Sequence, residues 1–552
     1  MTCKLLIIGG AAGGATAAAR ARRLDEDAEI VLFERGEYIS FANCGLPYYV
    51  GDVIKTREDL LVTTPEDFKA RYRIDVRIFS DVVSIDRAGR EVIVNNLATG
   101  ESYRERYDRI ILSPGAEPAG LPAGYDGFGN VFSLRNIPDA DRIKAYADRT
   151  GPCSAVVAGG GFIGLEMAEN LAKKGVKTTI VEKLPQVMNT FDHEMVSVVH
   201  GHLQENGVSC LLGHGISSLV GQGMVSAVVT ENGESIPCDL LVLSMGVRPD
   251  TRLARQAGLA MGELGGIKVN ALLMTSDPDI FAVGDAVEVT DFVTGLPTLT
   301  ALAGPANKQG RLAAGNALGR RTVYTGTLGT SVVKVFNMTL ASTGTSERVL
   351  RKNGIPHLIS YTHSTSHAGY YPGAEMMTIK LVFSPGTGRI LGSQIVGGAG
   401  VDKRIDVLAT AIRGSMTVFD LEEIDLAYAP PYSSAKDPVN VAGLVASNIL
   451  KGDHEIVHSK DLKNIDAGSA VLVDVRDMED LMRSSPIEGA LHVPLRRLRK
   501  RTEKLDRDKM YITYCEVGTR SYAAHRILAQ KGFRSKNLSG GYKTYLATRN
   551  LS

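Results

Sequence analysis

The sequence predicts an α/β protein of several domains, on three observations. Residues 4–34 and 155–182 share the order strand, glycine-rich turn, helix and strand. From about residue 325 the pattern becomes α+β, and a further α/β pattern begins near residue 460. The 552 residues have room for roughly 3 to 4 domains of ordinary size.

The composition excludes several classes of partner. The 62 Lys and Arg residues almost balance the 61 Asp and Glu residues, which leaves no strong positive field for nucleic acid or an acidic membrane. No apolar run approaches the ~20 residues that span a bilayer, and the N-terminus lacks a secretory signal. Six scattered cysteines are too few for a disulfide scaffold. We therefore expect a cytoplasmic protein that acts on a small molecule.

The second strand-turn-helix unit carries the stronger nucleotide-binding signal. Residues 159–164 read GGGFIG, a full match to G-x-G-x-x-G between a strand and a helix. Such glycines allow a pyrophosphate to approach the N–H groups of the helix N-terminus. Glu182, 18 residues after Gly164, suits a ribose 2′-hydroxyl and favours NADH. Lys183 beside it leaves NADPH open as an alternative.

The first turn, GGAAGG over residues 9–14, is a weaker match because Ala11 stands at the second glycine position. Glu34 follows Gly14 by 20 residues, which supports a second ribose-binding acid. Glycines that only let a helix pack on a strand are the alternative for this turn. Two such units in one chain favour two dinucleotides, FAD in the first and NAD in the second.

Over about residues 1–450 the sequence resembles the flavin-dependent pyridine nucleotide-disulfide oxidoreductases. The matching segments include YDRIILSPGAEP, LLVLSMGVRPD and SDPDIFAVGDA. The resemblance implies two Rossmann-like domains and an α+β dimerisation domain. Their expected bounds are 1–113 and 251–324 for FAD, 114–250 for NAD, and 325–450 for dimerisation.

The same resemblance implies a set of cofactor-binding residues. In such proteins Asp285 reaches the ribityl chain of the flavin, although a helix N-cap explains an aspartate there equally well. The full set is Gly9, Ala11, Gly13, Gly14, Glu34, Arg35, Asn43, Val82, Ser113, Gly115, Arg135, Gly159, Gly161, Ile163, Gly164, Glu182, Gly246, Gly284, Asp285 and Ala303.

The segment SFANCGLPY, residues 40–48, resembles the single-cysteine branch of this family, which includes the coenzyme A-disulfide reductases. Dithiol members have a second cysteine where this chain has Tyr49. The oxidised partner of Cys44 must then be a small thiol, an extra sulfur or a sulfenic oxygen. We expect the flavin and the polar neighbours to lower the pKa of Cys44 below ~8.5.

Basic residues on the first helix suggest a phosphate-bearing thiol. Arg20 and Arg23 share a helix face and can bind phosphates, with a solvated basic face as the alternative. Peroxide-reducing relatives carry a histidine where this chain has Ala12, which disfavours peroxide chemistry. The resemblance implies the substrate residues Thr16, Arg20, Arg23, Ser40, Asn43, Arg71, Asn307 and Lys436.

Two segments near the end of this core are rich in tyrosine and proline, HAGYYPG (367–373) and LAYAPPYSSAKD (426–437). The resemblance implies that Tyr370 and Tyr428 come from the partner subunit of a homodimer and face the cysteine. A phenol with a pKa near 10 suits proton donation to a leaving thiolate. Tyr371 and Tyr432 suit an ordinary dimer interface equally well.

The tail, residues 464–552 after an expected linker at 451–463, resembles a rhodanese module. The matching segments are VLVDVRDMEDL, IEGALHVPL and YITYCEVGTRSYAAHRIL. Cys515 opens the loop CEVGTR before a helix, where backbone N–H groups and Arg520 stabilise an anionic sulfur. An inactive, structural module is the alternative. The basic run at 496–501 is expected to be a solvated face.

Together these features predict a flavoenzyme that uses NADH to reduce persulfide, polysulfide or disulfide forms of coenzyme A through Cys44. Cys515 would deliver sulfane sulfur, and hydrogen sulfide would be released. The alternatives are an NADH oxidase or peroxidase that cycles a Cys44 sulfenate, and a sulfurtransferase with a redox-sensing flavin core. The choice among the sulfur substrates stays open.

Overall fold

The computed structural model describes residues 3–119, 125, 127–466 and 468–549, which form two compact units. The first unit comprises Met1–Val187 and Asn206–Gly329, and the second comprises Met188–Glu205 and Thr330–Ser552. In the described part of the chain, every helix is too short or too polar to cross a membrane.

The first unit is built on two parallel five-stranded sheets, as expected from the repeated strand-turn-helix pattern. Leu5, Leu6 and Ile7 are fully buried, which is typical of a parallel strand covered on both faces. In spatial order, one sheet contains Ile280–Ala282, Arg109–Leu112, Lys4–Ile8, Glu29–Phe33 and Asp75–Arg77. The other contains Val208–Leu212, Lys177–Glu182, Ser154–Ala158, Leu240–Leu243 and Val131–Ser133.

Helices follow the first strand of each sheet and confirm the predicted units. Ala12–Leu24 connects the first pair of strands, and Phe162–Lys173 connects the second pair. A further long helix, Ala303–Ala317, packs against Ala12–Leu24. The unit also contains the helices Leu46–Val50, Pro65–Tyr72, Ile137–Thr150 and Arg252–Gln256, and the 3₁₀ turns Asn43–Gly45, Glu58–Leu60 and Gly284–Ala286.

Smaller sheets, most of them antiparallel, complete the first unit. Two are three-stranded meanders, made of Ser80–Asp86, Glu91–Asn96 and Ser102–Arg106, and of Ile216–Gln222, Met224–Thr230 and Ser235–Pro237. A mixed sheet contains Ile267–Lys268, Val287–Thr290 and Pro297–Leu299, and a ribbon pairs Ala116–Pro118 with Val247–Pro249.

The second unit contains the predicted α+β region and the α/β tail. Its antiparallel sheet has the order Ser331–Val335, Met338–Gly344, Ile390–Gly397, Met376–Phe383 and Leu358–Thr365. The helices that accompany it are His193–Glu205, Glu347–Lys352, Val401–Arg413, Val418–Glu423 and Pro438–Leu450. The first of these comes from the segment 188–205, which the chain inserts into this unit.

The tail forms a parallel sheet in the order Ile456–Val457, Arg534–Leu538, Met510–Tyr514, Ala470–Asp474 and Leu491–His492. Its helices are Met478–Arg483, Leu495–Arg501, Thr519–Gln530 and Gly541–Thr548, with 3₁₀ turns at Ser459–Asn464 and Thr502–Lys504. The predicted α/β character of the tail is therefore confirmed.

A buried lysine holds the inserted segment against the antiparallel sheet. The ammonium group of Lys380 is fully buried and lies 2.8 Å from Asp192, 2.5 Å from Glu194 and 2.6 Å from Glu347. Tyr361 donates a further hydrogen bond of 2.6 Å to Glu194. Burial alone would raise the pKa of Glu194 and of Glu347, but the charge of Lys380 keeps both pKa values below the usual range.

We expect Lys380→Met to lower the free energy of unfolding by about 3–5 kcal/mol at pH 7, because it removes the buried cation that Asp192 and Glu194 share. These carboxylates would then have raised pKa values, so the deficit relative to the wild type should shrink as the pH falls towards 5. Urea unfolding at several pH values measures this. The exposed Lys352→Met is the matched control, and equal stability of the two variants would contradict the assignment.

Candidate active site

The first glycine-rich turn forms a cradle that side chains would fill. Gly9 has a φ of +100°, and a methyl group there would lie 2.1 Å from the Ser113 carbonyl oxygen. A methyl group at Gly14 would lie 1.8 Å from the Gly9 carbonyl oxygen. Helix Ala12–Leu24 begins without a side-chain cap or an acidic residue in its first turn, so its N–H groups are available to an anion. The cradle therefore fits a dinucleotide pyrophosphate.

Glu34 and Glu182 have the same geometry in the two units. Each carboxylate accepts hydrogen bonds from the glycine turn and from the chain beyond its own strand. Glu34 accepts from the N–H groups of Gly10 and Gly36, each at 2.8 Å. Glu182 accepts from Gly160 at 2.7 Å and from Leu184 at 2.8 Å. Each acid thus lies beside a glycine turn, where a nucleotide ribose is expected.

The lysine beside Glu182 is engaged elsewhere. The Lys183 ammonium lies 2.9 Å from Glu231, and its side chain is largely exposed. Lys183 is therefore paired with a carboxylate of a neighbouring strand end instead of with Glu182.

Asp285 lies inside the 3₁₀ turn Gly284–Ala286 and is not a helix N-cap, so that alternative is wrong. Its carboxylate lies 3.6 Å from Arg135, and burial raises its pKa. Gln309, a buried residue that the sequence analysis missed, accepts a hydrogen bond of 2.7 Å from the N–H of Gly284. Gln309 fixes the turn that presents Asp285.

The positions of the remaining predicted cofactor residues give less information about a bound ligand. Arg35 lies 3.9 Å from Glu117, and the side chain of Val82 is buried in the hydrophobic core. Ala303 and Ile163 lie at helix starts, and Gly246 has a φ of +96°. Further glycines of the set, Gly13, Gly115, Gly159, Gly161 and Gly164, lie in or beside the turns.

Cys44 lies in the 3₁₀ turn Asn43–Gly45 and has an exposed side chain and no disulfide partner. The side-chain oxygen of the preceding Asn43 is buried without a hydrogen-bond partner. Tyr49, at the place of a second cysteine, is buried and donates a hydrogen bond of 2.9 Å to Asp141. Ser40, at the start of this segment, has a left-handed backbone with a φ of 45°. The segment thus presents a single thiol.

A carboxyl group close to this thiol was missed by the sequence analysis. Glu166 on helix Phe162–Lys173 accepts a hydrogen bond of 3.2 Å from the Tyr48 hydroxyl, and burial raises its pKa to about 7. Protein packed beneath the thiol, followed by the charges of Glu166 and Asp285, raises the pKa of Cys44. In the polypeptide itself, burial and two carboxylates from distant segments thus oppose the thiolate. The expected lowering of this pKa includes the bound flavin and stays a prediction.

Two helices in contact carry the predicted substrate residues Thr16 and Asn307. Gly13 and Gly310 allow helices Ala12–Leu24 and Ala303–Ala317 to touch, since a methyl group at Gly310 would lie 2.2 Å from the Gly13 carbonyl oxygen. Beside this contact, Thr16 donates a hydrogen bond of 2.6 Å to Asn307. Both predicted substrate residues therefore lie on one row.

One turn further on, the same row becomes basic. Arg20 follows Thr16 and Arg311 follows Asn307, each by four residues. Desolvation and the charges of Arg311, Arg320 and Arg23 lower the pKa of Arg20, whose Nε is buried without a partner. We call Arg20, Arg23, Arg311 and Arg320 the arginine cluster. Its geometry favours a phosphate-bearing ligand, and the sequence analysis missed Arg311 and Arg320.

Two of the predicted substrate residues, Arg71 and Lys436, lie outside the arginine cluster. Arg71 is largely exposed on helix Pro65–Tyr72 and lies 4.0 Å from Asp67. The Arg23 guanidinium lies 5.7 Å from the ring centre of Tyr72 on the same helix. Lys436 belongs to the second unit, where it is exposed just before helix Pro438–Leu450.

The structure brings together the two predicted tyrosines in the second unit. The hydroxyl groups of Tyr370 and Tyr428 lie 2.9 Å apart, and their side chains are 76% and 49% exposed. Tyr371 and Tyr432 are also exposed nearby in sequence. The hydrogen bond with Tyr428 raises the pKa of Tyr370.

A buried arginine ties the two tyrosine-bearing loops to each other. Arg404 donates 2.8 Å and 2.9 Å hydrogen bonds to the carbonyl oxygen of Ser366 and the carboxylate of Asp437. The N–H of Ala368 also donates a 3.0 Å hydrogen bond to the carbonyl oxygen of Ser433. The sequence alone gave no indication that Arg404 has this position.

In the tail, Cys515 is fully buried at the start of the loop before helix Thr519–Gln530. The Ser521 hydroxyl donates a 3.5 Å hydrogen bond to its sulfur, and Gly518 has a φ of +94°. Arg520 lies 2.7 Å from Asp480 and 3.3 Å from Asp477. Burial alone would lower the pKa of Arg520. The hydrogen bond with Asp480 and the charge of Cys515 outweigh burial and raise this pKa.

Comparison with protein families matches three segments of the chain. Residues 3–310 match the family described as pyridine nucleotide-disulphide oxidoreductase, and residues 330–438 match the dimerisation domain of the same family. Residues 459–548 match the rhodanese-like domain.

Individual proteins and structures are also similar. A coenzyme A disulfide reductase of Staphylococcus haemolyticus is 35% identical over 447 residues, 81% of this chain and 100% of that protein. The crystal structure of reduced Bacillus anthracis CoADR-RHD is 47% identical with a TM-score of 0.97, covering 99% of this chain and 98% of that one. The NAD-dependent persulfide reductase structure from A. fulgidus is 37% identical with a TM-score of 0.91, covering 98% and 100%.

We expect Glu166→Gln to lower the apparent pKa of Cys44, because it removes the carboxylate with the larger effect of the two that oppose the thiolate. Alkylation of Cys44 by iodoacetamide at pH 8 should become about 3- to 10-fold faster, equivalent to about half to one pKa unit. Peptide mass spectrometry across pH 6–9 measures this. The exposed Glu58→Gln serves as the control, and an unchanged Cys44 titration would refute the coupling.

Proposed function

Because the chain belongs to the pyridine nucleotide-disulphide oxidoreductase family, we propose that it is a flavoenzyme that uses NADH to reduce persulfide and disulfide forms of coenzyme A. The observation that carries this proposal is the exposed Cys44 thiol with the buried Tyr49 in place of a second cysteine. A lone thiol has no neighbouring sulfur to pair with, so its oxidised partner has to arrive from solution, and a small thiol or persulfide is suited to this role.

The residues present fit the two cofactors. The Gly9–Gly14 cradle, Glu34 and the Asp285 turn would hold FAD, and the Gly159–Gly164 turn with Glu182 would hold NADH. The unpartnered oxygen of Asn43 lies next to Cys44 in the chain and is available for a further hydrogen bond. Bound FAD would supply a carrier for the electron pair that NADH gives up as hydride.

Cys44 performs the sulfur chemistry. Its thiolate attacks the carbon-bound sulfur of coenzyme A persulfide, forming a mixed disulfide and releasing hydrosulfide with the electron pair of the broken bond. The electron pair from NADH and one proton then cleave the mixed disulfide into Cys44 thiolate and coenzyme A thiol. The sum is NADH, H⁺ and coenzyme A persulfide giving NAD⁺, coenzyme A and H₂S. With coenzyme A disulfide, the first leaving group is coenzyme A thiolate.

The thiol substrate is recognised through its phosphates. The arginine cluster and the Thr16–Asn307 row support this, because grouped guanidinium groups bind phosphate oxygens through charge-assisted hydrogen bonds. Ser40, Arg71 and Lys436 are the further residues that we assign to this substrate. Glu166, with a pKa of about 7, holds a proton close to the thiol.

We also propose a homodimer in which Tyr370 and Tyr428 of a second copy face Cys44. The match to the family's dimerisation domain and the exposure of both hydroxyl groups support this assembly. Paired phenols are suited to protonate a departing thiolate. The domain bounds that we propose remain 1–113 with 251–324, 114–250, 325–450 and 464–552.

Cys515 is the proposed carrier of sulfane sulfur. Its thiolate would take the outer sulfur from a polysulfide or persulfide and pass it to coenzyme A thiol, which regenerates the substrate of Cys44. The rhodanese-like match and the Ser521 hydrogen bond to its sulfur support this role.

Cys44→Ser should abolish anaerobic NADH oxidation with every sulfur substrate, by about 1,000-fold or more, because the attacking thiolate is lost. Cys515→Ser should keep full activity with coenzyme A disulfide and lose at least about 10-fold when polysulfide and coenzyme A thiol are supplied. Absorbance of NADH and methylene-blue detection of sulfide measure both. A wild-type enzyme that ignores these substrates and responds only to oxygen or peroxide would sink the proposal in favour of an NADH oxidase.

Arg311→Ala should raise KM for coenzyme A disulfide about 10-fold with little change in kcat, because one charged hydrogen bond to phosphate is lost. The phosphate-free disulfide pantethine should be reduced equally well by the variant and the wild type. Steady-state kinetics with both disulfides test this, with the exposed Arg104→Ala as control. Equal losses with both disulfides would contradict phosphate recognition.

A further inference from the structure

Two side chains of the edge strand Leu358–Thr365 contact a turn of the tail. Tyr361 and His363 are two residues apart and therefore share one face of the strand. His363 Nε2 lies 3.1 Å from the carbonyl oxygen of Gly540 and 3.0 Å from the hydroxyl of Thr544. Its Nδ1 lies 2.9 Å from the hydroxyl of Thr378.

The partners fix which nitrogen of His363 carries the proton. A carbonyl oxygen only accepts, so Nε2–H donates to Gly540, and Nδ1 accepts from Thr378. Burial, with the charge of Lys543, lowers the pKa of His363 to about 3, so the ring stays neutral at physiological pH. His363 is thus a permanent donor to the turn.

The turn that receives this hydrogen bond has no room for side chains. Gly540 and Gly541 have φ angles of +70° and +63°. A methyl group at Gly540 would lie 2.9 Å from the Cβ of Tyr361, and one at Gly541 would lie 2.4 Å from the carbonyl oxygen of Cys515. The turn therefore fills the whole space between the strand and the Cys515 loop.

Beyond the turn, successive N–H groups hold the loop itself. Tyr542 donates a hydrogen bond of 2.8 Å to the carbonyl oxygen of Cys515, and Lys543 donates one of 3.0 Å to that of Glu516. A continuous path of hydrogen bonds and chain thus runs from Thr378 through His363 and the turn to the backbone of Cys515.

Other contacts attach the tail to the same sheet. Lys460 lies 2.7 Å from Glu347, and the ring of His458 meets Tyr361 edge-on, with centroids 6.0 Å apart. Loss of the His363 hydrogen bond would therefore leave the tail attached and disturb mainly the turn.

We propose that His363 is a positioning residue for sulfur transfer at Cys515. His363 fixes the position of the Gly540–Gly541 turn. This turn holds the loop whose backbone N–H groups stabilise the anionic sulfur. This inference rests on the proposed role of Cys515 as a sulfur carrier. It makes the sulfur-transfer step depend on a residue outside the rhodanese-like segment, residues 459–548.

The test follows sulfur transfer alone, in the full-length protein, with thiosulfate and cyanide as probes. The Cys515 thiolate attacks the outer sulfur of thiosulfate, and sulfite leaves with the electron pair of the broken S–S bond. Cyanide then attacks the terminal sulfur of the Cys515 persulfide, giving thiocyanate and regenerating the thiolate. No net oxidant or reductant is required, so NADH and Cys44 are not involved.

His363→Phe keeps the ring and removes the donor, whereas His363→Gln restores an N–H near the place of Nε2. We expect His363→Phe to lower kcat for thiocyanate formation about 10-fold, with KM for thiosulfate little changed, and His363→Gln to recover most of it. Iodoacetamide labelling of Cys515 at pH 8 should become slower in His363→Phe. NADH oxidation with coenzyme A disulfide should remain within twofold of the wild type.

His357→Phe is the matched control, because His357 precedes the same strand and its ring contacts only the carbonyl oxygen of Ile355 among the described partners. Wild-type sulfur transfer and Cys515 labelling in His363→Phe would overturn the inference, as would equal losses in both activities. If the wild type itself forms no thiocyanate, the proposed role of Cys515 fails before His363 is tested.

Discussion

A solitary thiol beside an electron carrier depends on what diffuses to it, and this constraint explains the arrangement around Cys44. The segment that presents Cys44 places Tyr49 where a second sulfur would close a local disulfide, and Asp141 holds the tyrosine there. In the function that we propose, the arginine cluster supplies the recognition of the arriving thiol. In the proposed homodimer, Glu166 and the paired tyrosines of the second copy supply the protons.

Buried charges fix the second unit. Lys380 and Arg404 are both almost fully buried, and each is surrounded by acceptors. A buried ion pair contributes little net stability, but its geometry is strict because any other arrangement leaves a charge unpaired. Lys380 in this way fixes the segment 188–205, and Arg404 fixes the two loops that bring Tyr370 and Tyr428 within one hydrogen bond.

The sequence was sufficient to predict features that depend on a short run of neighbouring residues. The two glycine turns, their acids Glu34 and Glu182, and the cysteine segments are patterns of adjacent residues, so the fold class was predicted correctly. Gln309, Glu166, Arg311 and Arg404 act through partners far away in the chain, and no pattern of neighbouring residues marks them. The rise in the pKa of Cys44 likewise has no local signal in the sequence, because it comes from burial and from Glu166 and Asp285, which are both remote in sequence.

Helix Ala12–Leu24 serves two ligands at once. Its first turn forms the dinucleotide cradle, and its middle carries Thr16 and Arg20 in contact with helix Ala303–Ala317. If both ligands bind as we propose, a displacement of this helix by one ligand changes the binding of the other, so occupancy of the cradle and affinity for the thiol nucleotide would be thermodynamically linked. Such linkage is reciprocal: a protein stripped of its prosthetic group would hold the thiol nucleotide less tightly, and the thiol nucleotide would slow loss of the prosthetic group.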